Sequence, residues 1–133
     1  MDENAILNYQ EKRRARRAAT PTGTTAILRV DDVLELNLVN DISSCGMLTS
    51  HFYTGDPYDI DSLVSDIIIN IPPSEPNSGI NHQFSIERGK IVRTFFDENA
   101  QNYFYGVEFV HASPYLRELI VNYTDEALLH ERK

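Results

Sequence analysis

The feature that most constrains this chain is a change of period. From Thr24 to Phe109 the apolar residues recur at every second position, in short runs cut by turn signals. Only after Ser113 does their spacing become helical. Thr24 to Val30 is rich in β-branched residues, and Asp31-Asp32 marks a turn. Leu34, Leu36 and Leu38 alternate with Glu35, Asn37 and Val39, the pattern of a half-buried strand. Gly46 marks a tight turn before a short strand through Met47, Leu48 and Phe52. Tyr53 to Ser62, containing Gly55-Asp56-Pro57, is a loop. Leu63 to Ile71 is a strand with Ile67, Ile69 and Ile71 on one face, and Ile68 gives the other face partial cover. Pro72 to Gly79 is a loop. Phe84 to Phe96 forms one long strand in which Gly89 is expected to make a bulge, a device that curves sheets into barrels. Asp97 to Gln101 is a hairpin loop, and Tyr103, Tyr105, Val107 and Phe109 line one face of the last strand.

The two ends differ from this middle. Residues 1–11 carry a short helix with only Ile6, Leu7 and Tyr9 as bulky apolar groups, too few for independent stability. Ala15, Ala18 and Ala19 can extend it until Thr20-Pro21-Thr22-Gly23 stops it, because proline disfavours helix at the preceding residue. At the other end Ser113 is an N-cap and Pro114 occupies the first helical position, where its missing N–H costs little. Leu116, Leu119, Ile120, Tyr123 and Ala127 then form one apolar stripe, suited to covering an open part of a sheet or one end of a barrel. About six strands followed by one helix predict an all-β fold with a terminal helix, a β-barrel or strongly curved sheet. A length of 133 residues suits one core. The expected organisation is a tail over residues 1–10 and a single domain over 11–133.

Charge is the second constraint. The stretch Lys12-Arg13-Arg14-Ala15-Arg16-Arg17 holds five of twelve basic residues, and the net charge is -8. Nucleic-acid binders usually spread cations over a face or groove, so a compact anion suits this island better than a long polymer. Arginine grips phosphate with a planar fork of donors, and the same fork pairs with the edge of guanine or stacks on a base. Taken alone, the stretch also fits a solvated tail or one that binds nucleic acid loosely. In Asp41-Ile42-Ser43-Ser44-Cys45-Gly46, Asp41 can accept from guanine N1 and N2, Ser43 can bond backbone or a ligand oxygen, and Gly46 permits a turn that side chains resist. Alone, that stretch fits a strand end with an Asx-type turn.

Together, Arg13-xxx-Arg17, 23 intervening residues and Asp41-x-Ser43-x-x-Gly46 resemble the signature of the PilZ domain family. Gly89-Lys90-Ile91-Val92-Arg93, Tyr105-Gly106-Val107-Glu108-Phe109 and Ser113-Pro114 resemble its later strands and final helix, so the likeness runs from about Glu11 to about Val121. The resemblance implies a six-stranded antiparallel β-barrel with a C-terminal helix, and a receptor for the bacterial second messenger cyclic di-GMP. It implies that a mobile arginine segment, with Arg13 and Arg17, wraps the ligand, while Asp41 and Ser43 hold a guanine and Gly46 shapes the turn. Lys12 and Arg14 are expected to favour an intercalated pair of ligand molecules over one, and Arg16 to face water.

Other chemistry is weaker. Asp56, Asp59 and Asp61 lack the downstream glycine and glutamate of a calcium loop. The four histidines show no metal-ligand spacing, and Cys45 is the only cysteine, which excludes an internal disulfide and agrees with a reducing compartment. Ser43, His51 and Asp41 can be drawn as a hydrolase triad, but no nucleophile-elbow pattern supports it. Arg88 and Arg93 are expected to be surface cations paired with carboxylates. No enzyme activity, cofactor or metal is expected. The expected location is the cytoplasm, without membrane insertion, because no apolar run approaches a bilayer span and no signal-peptide core follows Met1. The expected partners are cyclic di-GMP and an effector protein that the sequence does not identify, with neither DNA nor RNA. Two other readings remain at this point: an adaptor of the same fold working by protein contact, and a small barrel stacking single-stranded nucleic acid on Tyr103, Phe104 and Tyr105.

Overall fold

The structure, a computed structural model, describes residues 17–51, 56–73, 81–110 and 112–131. Among these residues seven strands precede one helix: β1 (Ala18–Ala19), β2 (Thr25–Val30), β3 (Val33–Ile42), β4 (Gly46–His51), β5 (Leu63–Ile71), β6 (His82–Asp97), β7 (Asn102–Phe109) and α1 (Pro114–Glu131). The hydrogen-bonded order is β1-β3-β2-β5-β6-β7-β4, and β4 pairs back onto β3. That last pairing closes the six long strands into an antiparallel barrel, which removes unpaired edges. The two-residue β1 adds to β3 through Ala18↔Ile42 and Ala19↔Asp41. The expected helix through Ala18 and Ala19 is therefore replaced by strand, since β3 offers backbone partners that alanine's helix preference cannot outweigh. The expected helix over residues 1–11 lies outside the described residues.

Turn chemistry fixes the hairpins. Asp31 and Asp32 have φ of 48° and 67°, the left-handed pair that a two-residue β-hairpin needs and that aspartate tolerates. Gly23 has φ of 94°, and it follows Pro21, whose carbonyl accepts from Thr24 N at 3.1 Å. Asp97 Oδ1 accepts from Asn99 N and Ala100 N, which shapes the β6–β7 loop.

The core is the barrel interior. Ala26, Leu28 and Val30 of β2, Ile67, Ile69 and Ile71 of β5, and Tyr105, Val107 and Phe109 of β7 are all buried, as the alternation predicts. Each buried isoleucine contributes about 1.5–3 kcal/mol of transfer free energy. On β3 the half-buried strand has the opposite sense from the one its leucines suggest. Leu34 and Leu36 face outward at 60% and 39% exposure, while Asn37 and Val39 are buried. Register decides this: Leu34 and Leu36 sit opposite Arg29 and Ile27, the outward residues of β2.

Three register shifts curve the sheet: between Val39 and Asp41 on β3, between Ile27 and Arg29 in the β2–β5 pair, and between Ile91 and Arg93 on β6. The bulge expected at Gly89 is thus at Val92 instead. Gly89 pairs regularly with Val64 and Phe109. Its lack of a side chain serves close packing, because a Cβ there meets the Glu108 carbonyl oxygen at 2.9 Å and Ile67 at 3.1 Å.

Helix α1 closes one end of the barrel. Ser113 Oγ accepts from Leu116 N at 3.1 Å, the N-cap bond. Ile120 is fully buried in the barrel core, with Leu116 and Tyr123 packed beside it. Tyr123 also meets His82 and Phe84, at ring distances of 5.0 and 6.1 Å. Leu119 departs from the expected stripe and remains 39% exposed.

Candidate functional site

The site is built where β1, β3 and the β3–β4 turn meet, at the barrel end that α1 covers. Simple alternation from buried Val39 would aim Asp41 into the barrel and Ile42 out. The extra residue at Asn40 reverses that phase, so Ile42 is fully buried and Asp41 turns outward. Asn40 is held from both sides: its carbonyl accepts from Thr20 N at 3.1 Å, and its Nδ2 donates to Ser50 Oγ at 3.3 Å.

The pairing of β1 with β3 brings Arg17 beside Asp41. Arg17 Nη1 lies 3.6 Å from Asp41 Oδ1, with side-chain exposures of 60% and 23%. That distance makes an ion pair but not a hydrogen bond, and Asp41 Oδ1 is a solvent-inaccessible oxygen with no hydrogen-bond partner. Burial raises the Asp41 pKa above the usual carboxylate value, although the Arg17 charge and the Leu48 backbone amide both pull it down. The pair sets a carboxylate beside a partly exposed guanidinium that has further N–H donors.

Ser43 and Gly46 build the turn beneath Asp41. Ser43 is 3% exposed. Its N–H donates to Gly46 O at 2.8 Å, and its Oγ accepts from Cys45 N at 3.2 Å. The same hydroxyl donates to Gly46 O at 3.4 Å, so it closes the turn rather than facing outward. Gly46 is required for a reason other than turn dihedrals, since its φ is not in the left-handed region. A Cβ at this position falls 2.2 Å from the Val107 carbonyl oxygen, so only glycine lets β4 run this close to β7. Cys45 is half-buried with a free thiol. Lys12, Arg13 and Arg14 lie outside the described residues, as does Arg16, so Arg17 alone represents the basic island here.

The hydrolase triad is excluded by placement. His51 is at the opposite barrel end, where the Tyr105 hydroxyl lies 2.6 Å from its Nε2. That hydroxyl also accepts from Tyr58 N at 3.1 Å, and its one proton goes to Nε2 in the tautomer protonated at Nδ1. Burial lowers the His51 pKa, in agreement. Tyr58 stacks on Tyr105 at 4.4 Å and donates to Asn37 Oδ1 at 3.2 Å. The sequence reading missed this cluster. Its signal was the alternation of His51 with Thr49 and Met47, all buried. Tyr105→Phe should leave His51 Nε2 and Tyr58 N unpaired and cost about 2 kcal/mol, read as a lower urea midpoint at unchanged slope.

Among the described residues no group of histidine, cysteine and carboxylate side chains could hold a metal ion, and no helix is long and apolar enough to cross a membrane. Asp61 pairs with Lys90 at 3.2 Å. Arg93 stands over the Phe95 ring at 4.7 Å.

No family model matches the chain, and no curated protein matches it in sequence. Solved structures do. The PilZ domain with c-di-GMP of YcgR from Escherichia coli superimposes with a TM-score of 0.61 at 15% identity, over 91% of this chain and 95% of that one. The Bacillus subtilis inhibitor of motility (MotI/DgrA) gives 0.70 at 14% identity, over 90% of this chain and 53% of that one. YcgR in complex with c-di-GMP from Escherichia coli gives 0.69 at 14% identity, over 91% and 48%. The chain has a PilZ-like fold: a closed six-stranded antiparallel barrel with a C-terminal helix. It spans about half the length of the latter two proteins and nearly all of the isolated domain.

Proposed function

We propose that this chain is a receptor for cyclic di-GMP, acting in the bacterial cytoplasm as a binding protein rather than an enzyme. The observation that carries the reading is Asp41. Its inaccessible Oδ1 lacks a hydrogen-bond donor, and the bulge at Asn40 turns it toward Arg17 on the outside of a PilZ-like barrel. Guanine N1–H and N2–H supply the missing donors, and Arg17 supplies charge for phosphate or an edge for the base. Two of the solved structures with this fold, YcgR and its PilZ domain, are complexes with c-di-GMP, which supports the ligand class. In this reading Arg13 and Arg17 grip the dinucleotide, Lys12 and Arg14 recruit a second intercalated molecule, and Ser43 and Gly46 keep the turn in place. Ligand contact fixes the arginine segment against the barrel and changes the surface that an effector protein meets.

Isothermal titration calorimetry of the whole chain with cyclic di-GMP tests this. Saturable binding at micromolar nucleotide is expected, with two nucleotides per chain. A flat thermogram sinks the receptor reading and leaves the adaptor, whereas a stoichiometry of one removes only the role given to Lys12 and Arg14. Affinity should also depend on acid. Asp41 accepts hydrogen bonds only when ionised, so binding is complete at neutral pH and weakens as pH falls through its raised pKa, above the point expected for an ordinary aspartate. An acid-insensitive affinity down to the ordinary carboxylate range removes Asp41 as the acceptor.

Less supports the nucleic-acid alternative, whose platform keeps only Tyr103 and Phe104 partly exposed. Tyr105 is fully buried under the His51 hydrogen bond, and Phe104 is stacked on Phe95 at 5.5 Å. A net charge of -8 opposes a polyanion as well.

A further inference from the structure

The outer wall of β2, β3 and β5 carries apolar side chains that the barrel core does not use. Ile27, Leu34 and Leu36 are 36%, 60% and 39% exposed, and Leu38 and Ile68 are half-buried beside them. Register makes these one surface. Leu36 sits opposite Ile27, and Ile27 sits opposite Ile68, so an unbroken apolar row crosses three adjacent strands. Leu34 and Leu38 extend it along β3 in both directions. Scattered exposed leucines need no explanation, but a contiguous row on the solvent side of a closed barrel does. The wall offers no free strand edge, so an occupant must engage side chains rather than add a strand.

The border of this surface selects the occupant. The β2–β3 turn places the exposed Asp31 and Asp32 directly beyond Leu34, and neither has an ion-pair partner among the described residues. The nearest cation on the wall, Arg29, is engaged by Asp66 at 3.4 Å. The charge beside the Leu34 end of the row is therefore negative, on a chain whose net charge is -8, while the exposed Arg88 lies at the far side, beyond Ser65. A second copy of the chain would bring like charge to like charge. A segment with an apolar face and flanking lysines or arginines satisfies both the row and its border.

We propose that this wall is a docking surface for a basic amphipathic helical segment of a partner protein, with Leu34, Leu36 and Ile27 as its apolar anchors and Asp31 and Asp32 as its charge readers. β3 carries Leu34 and Leu36 toward one end and Asp41 at the other, so the surface and the candidate ligand site share a strand without sharing residues.

The test uses the full chain, isotopically labelled for NMR, titrated with an 18-residue leucine–lysine amphipathic peptide and with a leucine–glutamate peptide of the same pattern. The leucine–lysine peptide should shift amides of residues 25–38 and 65–70. Its dissociation constant should rise at least tenfold in Leu34→Thr/Leu36→Thr, and the leucine–glutamate peptide should bind at least tenfold more weakly. Threonine is β-branched, as strands favour, and both sites are exposed, so the variant's melting midpoint should match the parent's. Should that variant melt early, Asp31→Asn/Asp32→Asn is the second reading and should weaken the leucine–lysine peptide alone. Shifts mapping elsewhere, equal binding of both peptides, or undiminished binding by the variants overturns the proposal. A concentration-dependent dimer in sedimentation that Leu34→Thr/Leu36→Thr dissolves overturns it in favour of a second copy. Nucleotide calorimetry on the same variants separates this result from the receptor reading, on which the surface does not rest.

Discussion

Asp41→Ala is expected to remove most cyclic di-GMP affinity while leaving the apoprotein at least as stable as the parent. The binding loss follows from two charge-assisted hydrogen bonds to one guanine, together worth about 3–4 kcal/mol, or a few hundredfold in dissociation constant. Asp41→Asn should fall nearly as far, because one carboxylate oxygen becomes an NH2 group facing guanine donors. The stability expectation follows from linkage. Burial raises the Asp41 pKa in the folded chain despite Arg17 nearby. The contribution of this group is thus favourable below the unfolded pKa and lost as pH rises through the folded one. At neutral pH the ionised carboxylate opposes folding, so neutral replacements leave the melting midpoint unchanged or raise it. Calorimetry and thermal melting of the same samples check both halves. Wild-type affinity in Asp41→Ala removes this residue from the site, and an early melt shows that the carboxylate is structural. Arg17→Ala should lose binding without loss of stability too, since its ion pair at 3.6 Å is largely exposed.

Gly46→Ala is expected to give the largest stability loss of any single methyl group in the chain. The added carbon falls 2.2 Å from the Val107 carbonyl oxygen and 3.4 Å from Glu108 Cα, both backbone atoms that cannot rotate away. Relief requires β4 to move off β7, which strains the Gly46↔Glu108 and Met47↔Val107 pairing and the Phe109 N to Cys45 O bond at 2.8 Å. Overpacking of this kind costs about 3 kcal/mol or more. In a domain of this size that lowers the melting midpoint by roughly 10 °C. Binding should fall as well, because the turn sets the height of Asp41. A variant that melts with the parent but has lost nucleotide would instead make Gly46 a direct ligand contact.

These two residues belong to one motif but play opposite parts. One is a functional group held at a cost to the fold, and the other is an absence of side chain on which the fold depends. The sequence motif presents them as equals. Ser43 belongs with Gly46, because its hydroxyl is spent on Cys45 N and Gly46 O. Only Asp41 and Arg17, of the described site residues, keep hydrogen-bonding capacity for a ligand.

Much of the fold was legible because strands and turns are short-range properties. The alternation at Leu63–Ile71, the Asp31-Asp32 turn and the Ser113-Pro114 helix start all appear where local chemistry puts them. The readings that changed were about phase. Alternation divides β3 into two faces but does not say which is inner. Its leucines faced out because β2 had already committed Ala26, Leu28 and Val30 to the interior, and because Tyr58 could donate to Asn37 Oδ1 inside. Gly89 looked like a bulge because glycine is permissive, yet the barrel used it for a close approach and bulged at Val92, whose side chain gives no hint of it.

The sequence by itself therefore determined the succession of the six long strands, the turns that join them, the closing helix, and the acid and the arginine as candidates for one site. Tertiary structure alone decided which way each strand faces. It also decided that the extra residue at Asn40 turns Asp41 outward, and that β1 lies along β3 so that Arg17 reaches it. The reason is range. Period and turn propensity are set by neighbours along the chain, whereas phase and adjacency come from hydrogen bonds between strands distant in sequence, which exist only once the barrel has closed.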